Sequence, residues 1–428
     1  MAISDVADTA GGHSGFSAGA LLRVALRYGV STAGPLAVSG AHFLASLIFL
    51  RALPAREFGL FSFVMVVAAF GMSLNVSLIS VPITRNLVTG EKETRPICFQ
   101  MNWLVCGLFG ALLGATLLSS QAPLKEAVTL GLFGGAFTFR WFSRCFAFVN
   151  SRTAAAIQSD LVYSLTIVAG LGVLSLLHRV TFTAGSTVLL AAALLALAPF
   201  GWRFFRAQLA AIGRGNPADY WPVFRDLTRW SLLGVALTEI TVNAHAYLVT
   251  FISGAGSFAL LALGMLLMRP ASLMQSALPD LERPAMARAI AARDLGGVSR
   301  IQRRFLGGLM AAWAGNVVLV AAVLVFIPAL VLKKGYALDQ VVLVAILSAV
   351  IWGVRTLRVP PSVVLQAAGQ FRQLASIGTI SGAISVAATL ALLLAFGPIA
   401  SLGGILLGDL VILTRVTQLT RAWKAAHG

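Results

Sequence analysis

The chain has 428 residues, of which 58% are hydrophobic and only 11% charged, with a mean hydropathy of +0.88. A soluble domain carries about 25% charged residues, so this chain has too little polar surface to cover itself in water, and a soluble enzyme is excluded. The formal net charge of +17 would suit nucleic acid, but no basic block lies beside an aromatic platform, and nucleic acid is excluded as a partner too.

In lipid every backbone polar group must be satisfied internally. The apolar stretches run about 20 residues, the length of a spanning helix and not of a barrel strand. Taken in chain order, residues 1–22 are small, polar and slightly acidic, and are expected to form a disordered cytoplasmic tail without a cleavable signal. Six spans follow, at roughly 28–50, 58–84, 98–119, 127–149, 159–177 and 184–204. They make an amino-terminal lobe over 23–206. An inner linker at 207–229 leads to a carboxy-terminal lobe over 230–428, with spans at roughly 230–252, 256–279, 305–331, 340–362, 373–396 and 398–420. The expected class is therefore an all-α integral membrane protein of about twelve transmembrane helices in two six-helix lobes.

Lys and Arg gather on one side of these spans. Arg85, Lys92, Arg95 and Arg152, a group from Arg203 to Arg229, and another from Arg283 to Arg304 fall on the side of the amino terminus. The opposite loops hold only Arg51, Arg56, Lys125, Arg179, Lys333 and Lys334. Because cytoplasmic loops collect basic residues, both termini are expected in the cytoplasm. Cys98, Cys106 and Cys145 show no metal-ligand spacing, and neither a metal nor a cofactor is implied.

The halves repeat weakly. Ala41-His42 in the first span matches Ala244-His245 in the seventh, Phe58 matches Phe258, and SLISVPITR (77–85) resembles SLMQSALPD (272–280). Two similar lobes point to a pseudo-two-fold repeat with a transport site between them at mid-membrane.

Leu53-Pro54 followed by Glu57-Phe58-Gly59, between spans one and two, resembles the turn of polysaccharide flippases. The exit from span two at Thr84-Arg85, and Leu278-Pro279 leaving span eight, are similar to theirs. With the six-plus-six layout, the chain resembles Wzx-type exporters, which share a superfamily with multidrug-extrusion (MATE) transporters and lipid II flippases. The resemblance implies an inner-membrane flippase. It would carry undecaprenyl-pyrophosphate-linked oligosaccharide to the periplasmic face by alternating access, for exopolysaccharide or O-antigen synthesis. It implies membrane lipids and a polysaccharide polymerase or co-polymerase as partners, and a monomer.

Ionisable residues inside spans are costly enough to mark function. Arg140 and Arg144, four apart on span four, project from one helix face. They are expected either to hold a pyrophosphate or acidic sugar or to snorkel toward the cytoplasmic surface. Arg269, beside Pro270 at a kink of span eight, faces the cavity or pairs with Glu239. Arg355 and Arg358 are expected to snorkel at the inner end of span ten. Asp409 needs a partner such as Arg355, or must carry a proton usable for coupling. His42 and His245 are packing residues or protonation sites. In the lipid II flippases the position resembling His245 holds a sodium-ligating Asp, so this chain departs from the sodium pattern.

Two other classes fit less well. A MATE-like multidrug extruder of cations wants carboxylates in spans one to three, which hold none. A membrane-embedded glycosyltransferase or ligase needs a sizeable outer loop, and every outer loop here is short. There is no phosphate-cradling GxxxxGK[ST] sequence.

Overall fold

The computed structural model describes residues 18–80, 82–83, 95–150, 152–214, 216–332 and 336–427. Twelve long helices follow one another. They are α1 (Ala18–Ala52), α2 (Ala55–Asn75, continued by a π turn Val76–Ser80), α3 (Arg95–Ser119), α4 (Leu124–Val149), α5 (Thr153–Leu176) and α6 (Phe182–Leu195). Then come α7 (Arg229–Ser253), α8 (Ala255–Leu267 bent into Arg269–Ala291), α9 (Leu295–Phe326), α10 (Leu338–Ala367), α11 (Phe371–Phe396) and α12 (Ser401–His427). No strand occurs among the described residues.

Nine of these helices are long and apolar enough to cross a membrane, and α7 and α8 qualify as bent pairs. The twelfth, α4, carries Arg140 and Arg144 within its apolar run, which lowers its hydropathy. Most of the expected tail lies outside the described residues, as do Thr84-Arg85, Lys92, Lys333 and Lys334. Its last residues belong to α1, which begins at Ala18 because Ala, Leu and Arg there favour helix.

Packing divides the molecule by depth. Around the turns joining α1 to α2 and α7 to α8, one core runs across both lobes, from Leu53, Phe58 and Phe61 to Val249, Phe258 and Leu402. At the other end the cores separate. Ile79, Phe99, Phe142 and Phe204 pack within the first lobe, while Met286, Phe305, Val364 and Trp423 pack within the second. The lobes therefore meet at one end and part at the other.

The meeting end explains the Leu-Pro/Glu-Phe-Gly turn. Pro54 cannot continue α1 and starts α2 in an extended conformation. Leu53 and Phe58 are fully buried, and a Cβ on Gly59 would sit 1.8 Å from the Ala255 carbonyl oxygen. Only a glycine lets α2 lie this close on α8. Across the interface, Gly254 (φ +85°) alone joins α7 to α8 in a left-handed conformation that glycine adopts freely.

The predicted kink of α8 is present. Its two halves are bent by 59°, with Pro270 at the start of the second half, where a missing N–H costs least. The inter-lobe linker is itself built: helix Trp202–Ala210 and a short 3-10 turn Pro217–Tyr220 lead into α7. The Tyr220 hydroxyl donates to the Leu78 carbonyl in the π turn that continues α2.

Candidate functional site

Between the lobes lies a cavity of about 320 Å³, within the range of small-molecule sites. Its walls come from α1, α2, α4, α7, α8 and α10. Phe58, Phe61 and Phe258 close it at the meeting end, and Met72, Arg269 and Ser272 line it toward the parting end. Its ionisable lining is His42, Arg269 and Arg355, and no Asp or Glu lines it among the described residues. Apolar, low-dielectric walls strengthen such charge, so the electrostatics of the cavity suit an anion.

Arg269 sits where α8 bends, and its side chain is exposed to this cavity. The expected pairing with Glu239 does not form. Glu239 instead accepts a 2.6 Å hydrogen bond from the Tyr247 hydroxyl, eight residues or about two turns along α7. It lines a separate recess between α2, α3 and α7. Among the described residues no carboxylate pairs with Arg269, which leaves its guanidinium to the cavity.

In the first lobe Arg140 and Arg144 neither snorkel nor line the cavity. They close on Asp160 of α5: Arg140 Nη1 lies 2.9 Å from Oδ1 and Arg144 Nε 2.8 Å from Oδ2. Arg140 is 0% exposed and Asp160 1%. The Arg140 guanidinium lies 4.3 Å from the Tyr163 ring centre, and that of Arg144 lies 4.9 Å from both Trp141 and Phe148. A Cβ on Gly34 of α1 would sit 2.2 Å from Asp160 Oδ2, so α1 roofs the cluster. The physical reason is desolvation: two guanidiniums this deep need a carboxylate more than a route to water.

One chain of contacts links this cluster to the cavity. The His42 Nε2 and Tyr163 hydroxyl lie 2.8 Å apart, Tyr163 stacks on Arg140, and His42 lines the cavity. His245 has a different setting despite its matching repeat position. It is 1% exposed, with Nε2 3.4 Å from the Met265 sulfur and Nδ1 without a hydrogen-bond partner.

The second lobe holds a parallel arrangement. Arg355 Nε lies 2.7 Å from Asp409 Oδ2, and Arg358 Nη1 3.2 Å from Oδ1. The partner expected for Asp409 is present. The snorkelling expected of Arg355 and Arg358 is not, for Asp409 on α12 holds both. Unlike Arg140, Arg355 also reaches the cavity wall beside Trp352. Asp160, Tyr163 and the cavity position of Arg355 are the site features that reading the sequence missed.

No family model matches the sequence, and no curated protein does. Solved structures do match. The inward-facing conformation of a multidrug resistance MATE family transporter of the MOP superfamily superposes with a TM-score of 0.67 at 14% identity, covering 94% of this chain and 98% of its own. Lipid II flippase MurJ in an inward closed conformation gives 0.67 at 11% identity, over 91% of this chain and 87% of its own. The chain therefore shares the fold of these two structures. An outward-facing conformation of a MATE family transporter of that superfamily covers 95% of each chain at 14% identity, yet gives only 0.52. The lobe arrangement here is thus nearer the inward forms, in keeping with cores that join at one end and separate at the other.

Proposed function

We propose that this chain is a flippase, not an enzyme, that moves a phosphate-bearing, lipid-linked oligosaccharide across the bacterial inner membrane for surface polysaccharide assembly. The observation that carries this reading is the cavity itself: two arginines and a histidine face it, and no carboxylate does among the described residues. Arg269, unpaired among described carboxylates, is the primary ligand for a pyrophosphate. Arg355 is the second, drawn from Asp409 when substrate arrives. The cavity accommodates the charged linkage and the first sugar, while the prenyl tail stays in lipid. Fold similarity to a lipid II flippase supports a lipid-linked cargo.

Arg140 and Arg144 act in this scheme by positioning: held by Asp160, they fix Tyr163 and thereby His42 at the cavity wall. His42 is the candidate for proton coupling, ahead of His245, because it alone of the two lines the cavity. Asp409 is a counter-ion in this scheme, and Glu239 a packing acceptor. With both lobes in one chain, a monomer completes the site. Both termini lie in the cytoplasm, so the parting end opens inward.

Complementation tests the reading. Deleting the gene should abolish the surface polysaccharide and leave lipid-linked repeat units on the cytoplasmic side, and Arg269→Gln should fail to restore export although it reaches the membrane. Normal export by Arg269→Gln would remove the cavity anion site. An unchanged polysaccharide on deletion, together with new sensitivity to cationic drugs, would favour the MATE-like reading.

A further inference from the structure

A second feature lies on the outside of the first lobe, away from the cavity. An apolar groove of about 700 Å³ runs along α3, α4 and α6. Its origin is a set of glycines. A Cβ on Gly110 would lie 2.7 Å from the Gly131 carbonyl oxygen, and one on Gly135 would lie 3.0 Å from that of Cys106. The backbones of α3 and α4 therefore touch, and the floor between them sinks below the flanking side chains. Gly107 differs, for a Cβ there meets nothing within 4 Å. It faces the open groove.

From Trp103 to Leu118 the groove follows sixteen residues of α3, about 22 Å at 1.5 Å rise per residue. That is longer than one leaflet of a hydrocarbon core about 30 Å thick. An extended acyl chain fits it.

One end of the groove carries aromatic and basic residues. Trp103 lines it, and its indole Nε1 is buried without a hydrogen-bond partner. Trp103 packs on Phe139, 4.7 Å between ring centres, and Phe139 on Phe205, 6.3 Å. Phe205 belongs to the helix Trp202–Ala210, which turns Phe204 and Gln208 inward and leaves Trp202, Arg203, Arg206 and Leu209 exposed. An exposed Trp and Leu beside two Arg is the pattern of a helix lying in a membrane interface.

We infer that this groove binds an anionic phospholipid: the phosphate on Arg203 and Arg206, and one acyl chain along the glycine floor over Gly107. The basic helix complements the anionic headgroup, so a lipid fits better than a neighbouring apolar helix, which supplies no anion. The site tethers the inter-lobe linker to the first lobe, and it is independent of what the cavity carries.

The test is native mass spectrometry of the purified full-length protein titrated with dioleoyl phosphatidylglycerol or dioleoyl phosphatidylcholine. The wild type should retain phosphatidylglycerol in preference. Gly107→Leu fills the groove without meeting the backbone, and expelling about two methylenes should weaken retention roughly tenfold. Arg203→Gln with Arg206→Gln should abolish the preference between the two lipids while some chain binding survives. Circular dichroism and monodispersity confirm that each variant is folded. Equal retention by the wild type and Gly107→Leu would overturn the assignment. So would equal retention of both lipids by the wild type, or a second protein chain as the species retained.

Discussion

Each lobe buries one carboxylate between two arginines on an equivalent helix, α4 in the first and α10 in the second, but the two clusters differ in access. Arg140 and Asp160 are sealed beneath Tyr163 and Gly34. Arg355 also forms part of the cavity wall. The same chemistry therefore serves two ends. A sealed cluster carries its desolvation cost at all times and can only hold helices together. One whose arginine borders the cavity can exchange its carboxylate for a ligand's phosphate.

The largest effect that would break this comparison is at Asp160. Removing it leaves two guanidiniums buried together, so Asp160→Ala should cost about 3–5 kcal/mol, read as loss of the monodisperse species in detergent and a much lower melting temperature. Asp409→Ala should cost clearly less, since cavity water can solvate Arg355. Equal losses at the two sites would show that access does not distinguish the clusters.

Next in size is Arg269→Gln, which keeps the fold but deletes a charged ligand. A lost hydrogen bond to a charged group is worth about 1.5–3 kcal/mol, so export should fall by roughly tenfold or more, measured as periplasmic repeat units in a deletion strain. Arg140→Gln should act instead through stability, with export tracking the amount of folded protein.

The smallest effect concerns His42. His42→Gln removes the Tyr163 contact at about 1 kcal/mol, and should lower transport a few-fold at equal membrane level, measured as exported repeat units. His245→Gln, away from the cavity lining, should leave transport per folded protein unchanged, which sharpens the contrast between the repeat-related histidines.

Much of the fold was legible because lipid demands long apolar helices, and the charged exceptions were legible because they are costly there. Asp160 escaped notice because it stands two residues into a predicted span, where an acid reads as a helix-start residue. Hairpin arithmetic would have found it. With α4 ending at Val149 and α5 starting at Thr153, Asp160 lies opposite a point between Arg140 and Arg144. The second cluster could not be found that way, since α10 and α12 are not consecutive and their meeting depends on how α11 packs. Similar reasons misplaced Glu239. Sequence gives its span, while the rotation of α7 decides whether it faces Arg269 or the recess by Tyr247. The histidine match survived as a repeat signal and failed as a guide to surroundings, because side-chain neighbours diverge faster than helix positions.

The central claim is that the inter-lobe cavity is an anion site made by Arg269 and Arg355. Its most direct measurement is binding of an undecaprenyl-pyrophosphate-linked oligosaccharide to the purified protein, compared among the wild type, Arg269→Gln, Arg355→Gln and Asp409→Asn. Each arginine variant should bind at least about tenfold more weakly, and Asp409→Asn, which releases Arg355, as tightly as the wild type or better. Undiminished binding by the folded Arg269→Gln and Arg355→Gln proteins would contradict the account.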